Sequence, residues 1–211
     1  MAQDGAVHLL VPVKPLWLAK SRLLGAADRT AEHADLVAAV ACDTILAARR
    51  APGVTDVVAV TSDAWLRRLL EADDVEVLPD SPDVGLNAAL RHGDRLLQQR
   101  ASVSRTGALQ ADLPALRASE LGAALAAAGG DRAFCPDRQG TGTTLLLAEP
   151  GQPLSPRFGG ESAAAHASTE AKCLDGPWQT VRCDVDTADD LERARRLGVG
   201  PRTSRQLAAR G

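Results

Sequence analysis

Apolar and polar residues alternate along this chain in blocks whose period switches between strand-like and helix-like, and the switches define its elements. Val7 to Val13 is a nearly continuous apolar run of strand length, the pattern of a strand buried on both faces of a parallel sheet. From Thr30 to Arg50, apolar positions at Ala34, Val37, Val40, Ala41, Thr44, Ile45 and Ala48 recur at threes and fours and predict an amphipathic helix that Pro52-Gly53 ends. Val54 to Val60 predicts a second strand, Ala64 to Glu71 a short helix and Val75 to Leu78 a third strand. A further helix opens at Gly85-Leu86-Asn87 and runs to about Gln99. Ala101 to Ala111 should supply a central strand, but Ser104-Arg105-Thr106-Gly107 interrupts it with polar residues. A helix from Ser119 to Ala128 closes at Gly129-Gly130, and Ala133 to Pro136 leads toward a short apolar run, Leu145 to Ala148. Thr180 to Asp186 alternates again, so that Val181, Cys183 and Val185 face one side of an expected strand while Arg182, Asp184 and Asp186 face the other. Thr187, with Asp190 three residues on, makes a near capping box for a helix ending near Gly198, and assigns Asp189, Asp190 and Glu192 to helix chemistry. The remainder from about residue 199, with Arg202, Arg205 and Arg210, reads as a loosely held basic tail. The β-α-β-α order predicts an α/β fold built on a parallel, doubly wound sheet with right-handed crossovers.

Composition narrows what this sheet can do. At 211 residues and 22.0 kDa the chain is one domain with a full core. Aromatics are only 2% and Tyr is absent, so the core is Val, Leu, Ala and Ile, and base stacking is disfavoured as the main mode of binding nucleic acid. The net charge of -3 points the same way: a polyanionic small substrate would need local cation clusters or bound metal. Cys42, Cys135, Cys173 and Cys183 form no C-x-x-C pair and read as free thiols rather than zinc ligands or disulfides. The run Val7 to Val13 is broken by Pro12 and followed by Lys14, which is no signal peptide, and no stretch reaches membrane-spanning length, so a cytoplasmic protein without a membrane partner is expected.

Chemistry-bearing residues gather at the expected carboxyl ends of the strands. Lys14, Lys20 and Arg22 follow the first strand, where open α/β sheets bind ligands; they suit a triphosphate or form a solvated basic loop, and no Walker A pattern is present. Asn87 is placed to cap its helix or to read a purine edge. Asp112 sits between apolar neighbours just before Pro114, either at the sheet edge or as a cap for the next turn. Asp184 and Asp186 point the same way, and a divalent cation is the usual reason to place like charges together, with oxygen-only ligands favouring Mg²⁺ or Mn²⁺. Between Asp137 and His166 lie two small-residue loops, Gly140-Thr141-Gly142-Thr143-Thr144 and Phe158-Gly159-Gly160-Glu161-Ser162. Each is plain turn chemistry or an anion cradle made of backbone N–H groups and hydroxyls.

With these pieces in order the chain resembles the 2-phospho-L-lactate guanylyltransferase family, whose actinobacterial-type members act as phosphoenolpyruvate guanylyltransferases in coenzyme F-420 biosynthesis. The resemblance rests on Val11-Pro-Val-Lys14 with Ala19 to Leu23, Gly85-Leu86-Asn87, Asp112 to Leu116, Asp137 to Thr144, Phe158 to Ser162 with His166, and Cys183 to Thr187. It implies a single Rossmann-like nucleotidyltransferase domain with a mostly parallel central sheet. It further implies that Asp112, Asp184 and Asp186 bind metal, expected as two Mg²⁺; that Thr144, Gly159 and Ser162 bind the phosphorylated acid; and that Lys14, Lys20, Arg22 and Asn87 serve the nucleotide, with Lys20 and Asp112 catalytic. GTP and phosphoenolpyruvate, or 2-phospho-L-lactate, are the implied small-molecule partners, and a labile product would be handed to the next enzyme of the pathway. His166 is expected in a structural or carboxylate-orienting role, because attack by a phosphate oxygen needs no base. The alternatives are a sugar-phosphate or molybdopterin nucleotidyltransferase, against which Pro12-Val13-Lys14-Pro15 stands where a glycine-rich loop is usual, and a non-catalytic nucleotide-binding subunit.

Overall fold

The apolar run that opens the chain forms β1 (Val7–Pro12), in which Val7, Leu9, Leu10 and Val11 are all fully buried. The computed structural model describes residues 6–14, 31–81, 85–100 and 105–209. After β1 come α1 (Ala31–Ala48), β2 (Val54–Val60), α2 (Ala64–Glu71), β3 (Glu76–Leu78) and α3 (Leu86–Gln98). Then follow β4 (Thr106–Leu109), α4 (Ala118–Ala128), β5 (Ala133–Pro136), β6 (Thr143–Leu147), α5 (Ser162–Ala167), β7 (Lys172–Cys173), α6 (Ala188–Leu197) and α7 (Pro201–Ala208). Among the described residues the strands make one seven-stranded sheet in the order β3-β2-β1-β4-β6-β5-β7. Only β6 runs against its neighbours β4 and β5; the other pairings are parallel, as the alternation of elements predicts.

Each face of the sheet carries its own apolar layer, which is why β1 has no polar side to its pattern. Val7, Leu9 and Val11 pack with α1, α4 and α6, whereas Leu10 packs with Leu90 and Leu97 of α3, with Phe158 of the loop before α5 and with Ala163 of α5.

Three expectations change. The polar interruption before β4 is absorbed rather than disruptive. Thr106 donates its hydroxyl to the buried Asp94 of α3 (2.6 Å), and Arg105 donates to the carbonyls of Ala148, Gly129 and Asp131, so buried polarity is paired. Gly107 lies where a Cβ would come within 2.8 Å of Leu9 and Leu147, so β1 and β6 close on β4 only because no side chain is there. Second, the tail is not loosely held. Residues 201–208 form α7, whose first N–H groups, those of Arg202 and Thr203, donate to the buried carboxylate of Asp43 on α1 (3.2 and 2.7 Å). That anion at a helix N-terminus fastens α7 to the first helix, and the Arg202–Asp73 ion pair at 2.7 Å adds a second tie beyond α2. Third, Val181 to Asp186 alternates in burial as predicted but forms no strand of the sheet.

Candidate active site

A short segment after β4, residues 110–114, joins Asp112 to several of the other candidate residues. Gln110 N–H donates to Thr144 O (2.8 Å), joining the segment to the start of β6. Two residues on, Asp112 O accepts from Val185 N–H (3.0 Å), which seats Asp184 and Asp186 on either side of the point of contact. Leu113 N–H donates to the hydroxyl of Thr44 on α1 (3.1 Å), and Pro114 O accepts from Gly200 N–H (2.8 Å). Asp112 thus follows β4 at the carboxyl edge of the sheet beside β1, where Lys14 follows in turn and is exposed. Lys20 and Arg22 lie outside the described residues.

Asp112 and Asp184 are half-buried and Asp186 is exposed. Their donor set is carboxylate oxygen alone, which fits a hard divalent cation. Among the described residues no three acidic, histidine or cysteine side chains converge closely enough to enclose an ion; the contact between Asp112 and Val185 brings the three onto adjacent segments without closing them round a point. Beside Asp184, Cys183 helps to line a cavity of about 380 Å³ whose polar wall holds Arg138, Arg182 and Arg193. Asp190, by contrast, completes the capping box of α6 with Thr187 and pairs with Arg138 at 3.4 Å, as helix chemistry predicts.

The two small-residue loops differ sharply. In the first, the Asp137 carboxylate accepts from the N–H groups of Gly140 (2.6 Å), Thr141 (3.0 Å) and Gly142 (2.8 Å). This loop is a cradle whose anion is its own side chain. In the second loop neither Gly159 nor Gly160 N–H finds a hydrogen-bond partner among the described residues, and a Cβ at either position would meet nothing within 4 Å. Ser162, just beyond, is buried at the start of α5. The loops touch: Ala163 N–H donates to Thr141 O (2.9 Å). Thr144 is buried, its hydroxyl held only at 3.4 Å by Cys135 O.

Asn87 does not cap α3. The N-cap is Gly85 with no side-chain bond, and the Asn87 carboxamide reaches instead to Phe158, donating from Nδ2 to its carbonyl (2.9 Å) and accepting at Oδ1 from its N–H (2.8 Å). His166 is fully buried, with Nε2 accepting from Arg157 N–H (3.0 Å) and Nδ1 2.9 Å from Thr143 Oγ1. Because Nε2 accepts, the neutral ring carries its proton on Nδ1 and donates it to the threonine. Burial, reinforced by Arg132 and Arg157, lowers its pKa to about 4. Both nitrogens are engaged and neither meets a carboxylate, so of its two expected roles the structural one is seen. Sequence reasoning missed Asp137; the available signal was an Asp three and five residues before two glycines, a spacing that lets a short carboxylate bond the following backbone.

Residues 7–202 match the family described as guanylyl transferase CofC like. A phosphoenolpyruvate guanylyltransferase of Salinispora arenicola is 49% identical over 199 residues, covering 93% of this chain and 91% of its own. That of Streptomyces coelicolor is 49% identical over 204 residues, covering 96% and 95%. Among solved structures, a nucleotidyl transferase from Methanothermobacter thermautotroptrophicus superposes with a TM-score of 0.57 at 18% identity, covering 90% of this chain and 96% of that one. A Mycobacterium tuberculosis protein solved in complex with manganese gives 0.54 at 19% identity, covering 90% and 98%. At such identities the structures speak for the fold, which they share over 90% of this chain, while the sequence match is specific along much the same length. The chain therefore belongs to the CofC-like guanylyl transferase family, on a Rossmann-like nucleotidyltransferase fold.

Proposed function

We propose that the protein transfers GMP from GTP to the phosphate of phosphoenolpyruvate, releasing pyrophosphate, as a cytoplasmic step of coenzyme F-420 biosynthesis. 2-Phospho-L-lactate is the alternative acceptor. Family membership supports the reaction class, and the relatives' names support this acceptor. The observation that carries the reading is a glycine loop with open N–H groups, joined through the first loop and β6 to the segment that bears Asp112 and meets Asp184 and Asp186.

A phosphate oxygen of the acceptor attacks the α-phosphorus of GTP; the bond from that phosphorus to the bridging oxygen breaks, and pyrophosphate leaves with the electron pair. The nucleophile is already an anion, so the site needs alignment and charge neutralisation rather than a protein nucleophile or base. A buried, weakly basic His166 is compatible with that requirement. Gly159 N–H and Ser162 hold the acceptor phosphate, and the Thr144 hydroxyl, weakly held at 3.4 Å, turns toward it. Lys14, Lys20 and Arg22 hold the triphosphate, Lys20 at the leaving group. Asp112, Asp184 and Asp186 would hold divalent metal, expected as two Mg²⁺, which would supply charge neutralisation at the attacking and leaving oxygens. The anhydride product is labile and suits direct hand-off to the enzyme that consumes it.

Pyrophosphate release from GTP and Mg²⁺ with each acid side by side tests the proposal: phosphoenolpyruvate should turn over, and no release with either acid overturns it. Asp184→Ala should abolish turnover, by about a thousandfold or more, while the melting temperature holds. A variant that keeps most of its activity would move the metal site elsewhere.

A further inference from the structure

Phe158 lies one residue before Gly159, and one side chain grips its backbone at both ends. Asn87 donates to Phe158 O at 2.9 Å and accepts from Phe158 N–H at 2.8 Å, across 71 positions of sequence. A carboxamide carries a donor and an acceptor side by side and so pairs with a residue's N–H and C=O much as a neighbouring strand does. One residue earlier, Arg157 N–H donates to His166 Nε2 at 3.0 Å, and the imidazole packs edge-on to the Phe158 ring with centroids 5.2 Å apart. Two side chains, from α3 and α5, thus fix the backbone that leads into Gly159 and Gly160, whose own N–H groups are open.

A loop containing adjacent glycines has more backbone freedom to lose on binding than any other, and that loss is subtracted from affinity unless the loop is already ordered. We infer that Asn87 is a positioning residue for the acceptor rather than a reader of the nucleotide: through Phe158 it presets the Gly159 loop before the phosphorylated acid arrives. This rests on the reading of that loop as the acceptor site. It differs from the expected nucleotide role because the carboxamide that would read a purine edge is already paired to the loop's backbone.

Asn87→Leu removes both bonds while keeping the same branching of heavy atoms. It should raise KM for phosphoenolpyruvate about tenfold, equivalent to about 1.4 kcal/mol, with KM for GTP within about twofold and kcat within about threefold. Amide hydrogen exchange over Arg157–Gly160 should rise in the free variant and slow again at saturating phosphoenolpyruvate, with other segments unchanged. Asn87→Asp keeps the bond from Phe158 N–H, so a fold too weak to carry leucine still yields a readable protein; it should raise the same KM. A rise in KM for GTP with that for the acid unchanged overturns the inference, as does unchanged exchange at Arg157–Gly160. Failure of the wild-type protein to release pyrophosphate would instead overturn the acceptor reading, while the exchange experiment continues to report on the clamp.

Discussion

The loops at 137–144 and 157–162 look alike in sequence and behave as opposites in the fold. The first is closed on itself: an Asp carboxylate fills the concavity made by three consecutive N–H groups, so the loop is complete without a ligand. The second is held from outside, by Asn87 and His166, and leaves its glycine N–H groups open. The difference teaches that a glycine-rich loop is an anion site only where its donors are unengaged, and that what engages them depends on a carboxylate within reach rather than on the glycines.

The contrast is most directly broken at Asp137. Asp137→Ala leaves three part-buried N–H groups without their acceptor and, at about 1–2 kcal/mol for each charge-assisted bond, should cost about 4 kcal/mol in denaturant unfolding. If the loss were small, the first loop would not depend on its own anion. Acid comes next. The folded pKa of His166, about 4, is below the ordinary value of 6.5, so the unfolded chain binds more protons between those two values. Stability is therefore complete above about pH 6.5 and declines as pH falls toward 4, by roughly 3 kcal/mol. As Nε2 gains its proton it can no longer accept from Arg157 N–H, so the decline should be accompanied by faster amide exchange in the second loop and not in the first. Equal exchange in both loops would dissolve the distinction.

A smaller, matched pair applies the same substitution to each loop. Gly142→Ala would bring a Cβ to 2.5 Å from Asp137 Oδ2 and should cost about 2 kcal/mol of stability. Gly159→Ala meets nothing within 4 Å and should change stability by less than about 0.5 kcal/mol, while raising KM for the phosphorylated acid because the backbone can no longer be approached closely. Similar melting shifts in the two variants would mean that the loops are not opposites.

Most elements were legible in the sequence because their patterns are local. The predicted strand Val54 to Val60 and helix Ala64 to Glu71 coincide with β2 and α2, and the Thr187 capping box needs only four consecutive residues. What failed was non-local. Thr106 reads as an interruption until Asp94 is brought beneath it from α3, and the tail reads as loose until Asp43, 159 positions earlier, meets the first turn of α7. Asn87 has a local reading as a cap, and it loses to a pair of bonds with a residue 71 positions away. Helix caps compete with any better-placed backbone group, and sequence distance hides the competitor.

By itself the sequence determined the alternation of strands and helices, the two apolar layers and the types of residue gathered at the carboxyl edge, since burial periodicity and side-chain chemistry are properties of short stretches. Only the tertiary structure decided which glycine loop keeps its donors open, because that turns on where the carboxylate of Asp137, the carboxamide of Asn87 and the ring of His166 come to rest. Those positions are set by the packing of whole helices and strands, and no stretch of chain contains them.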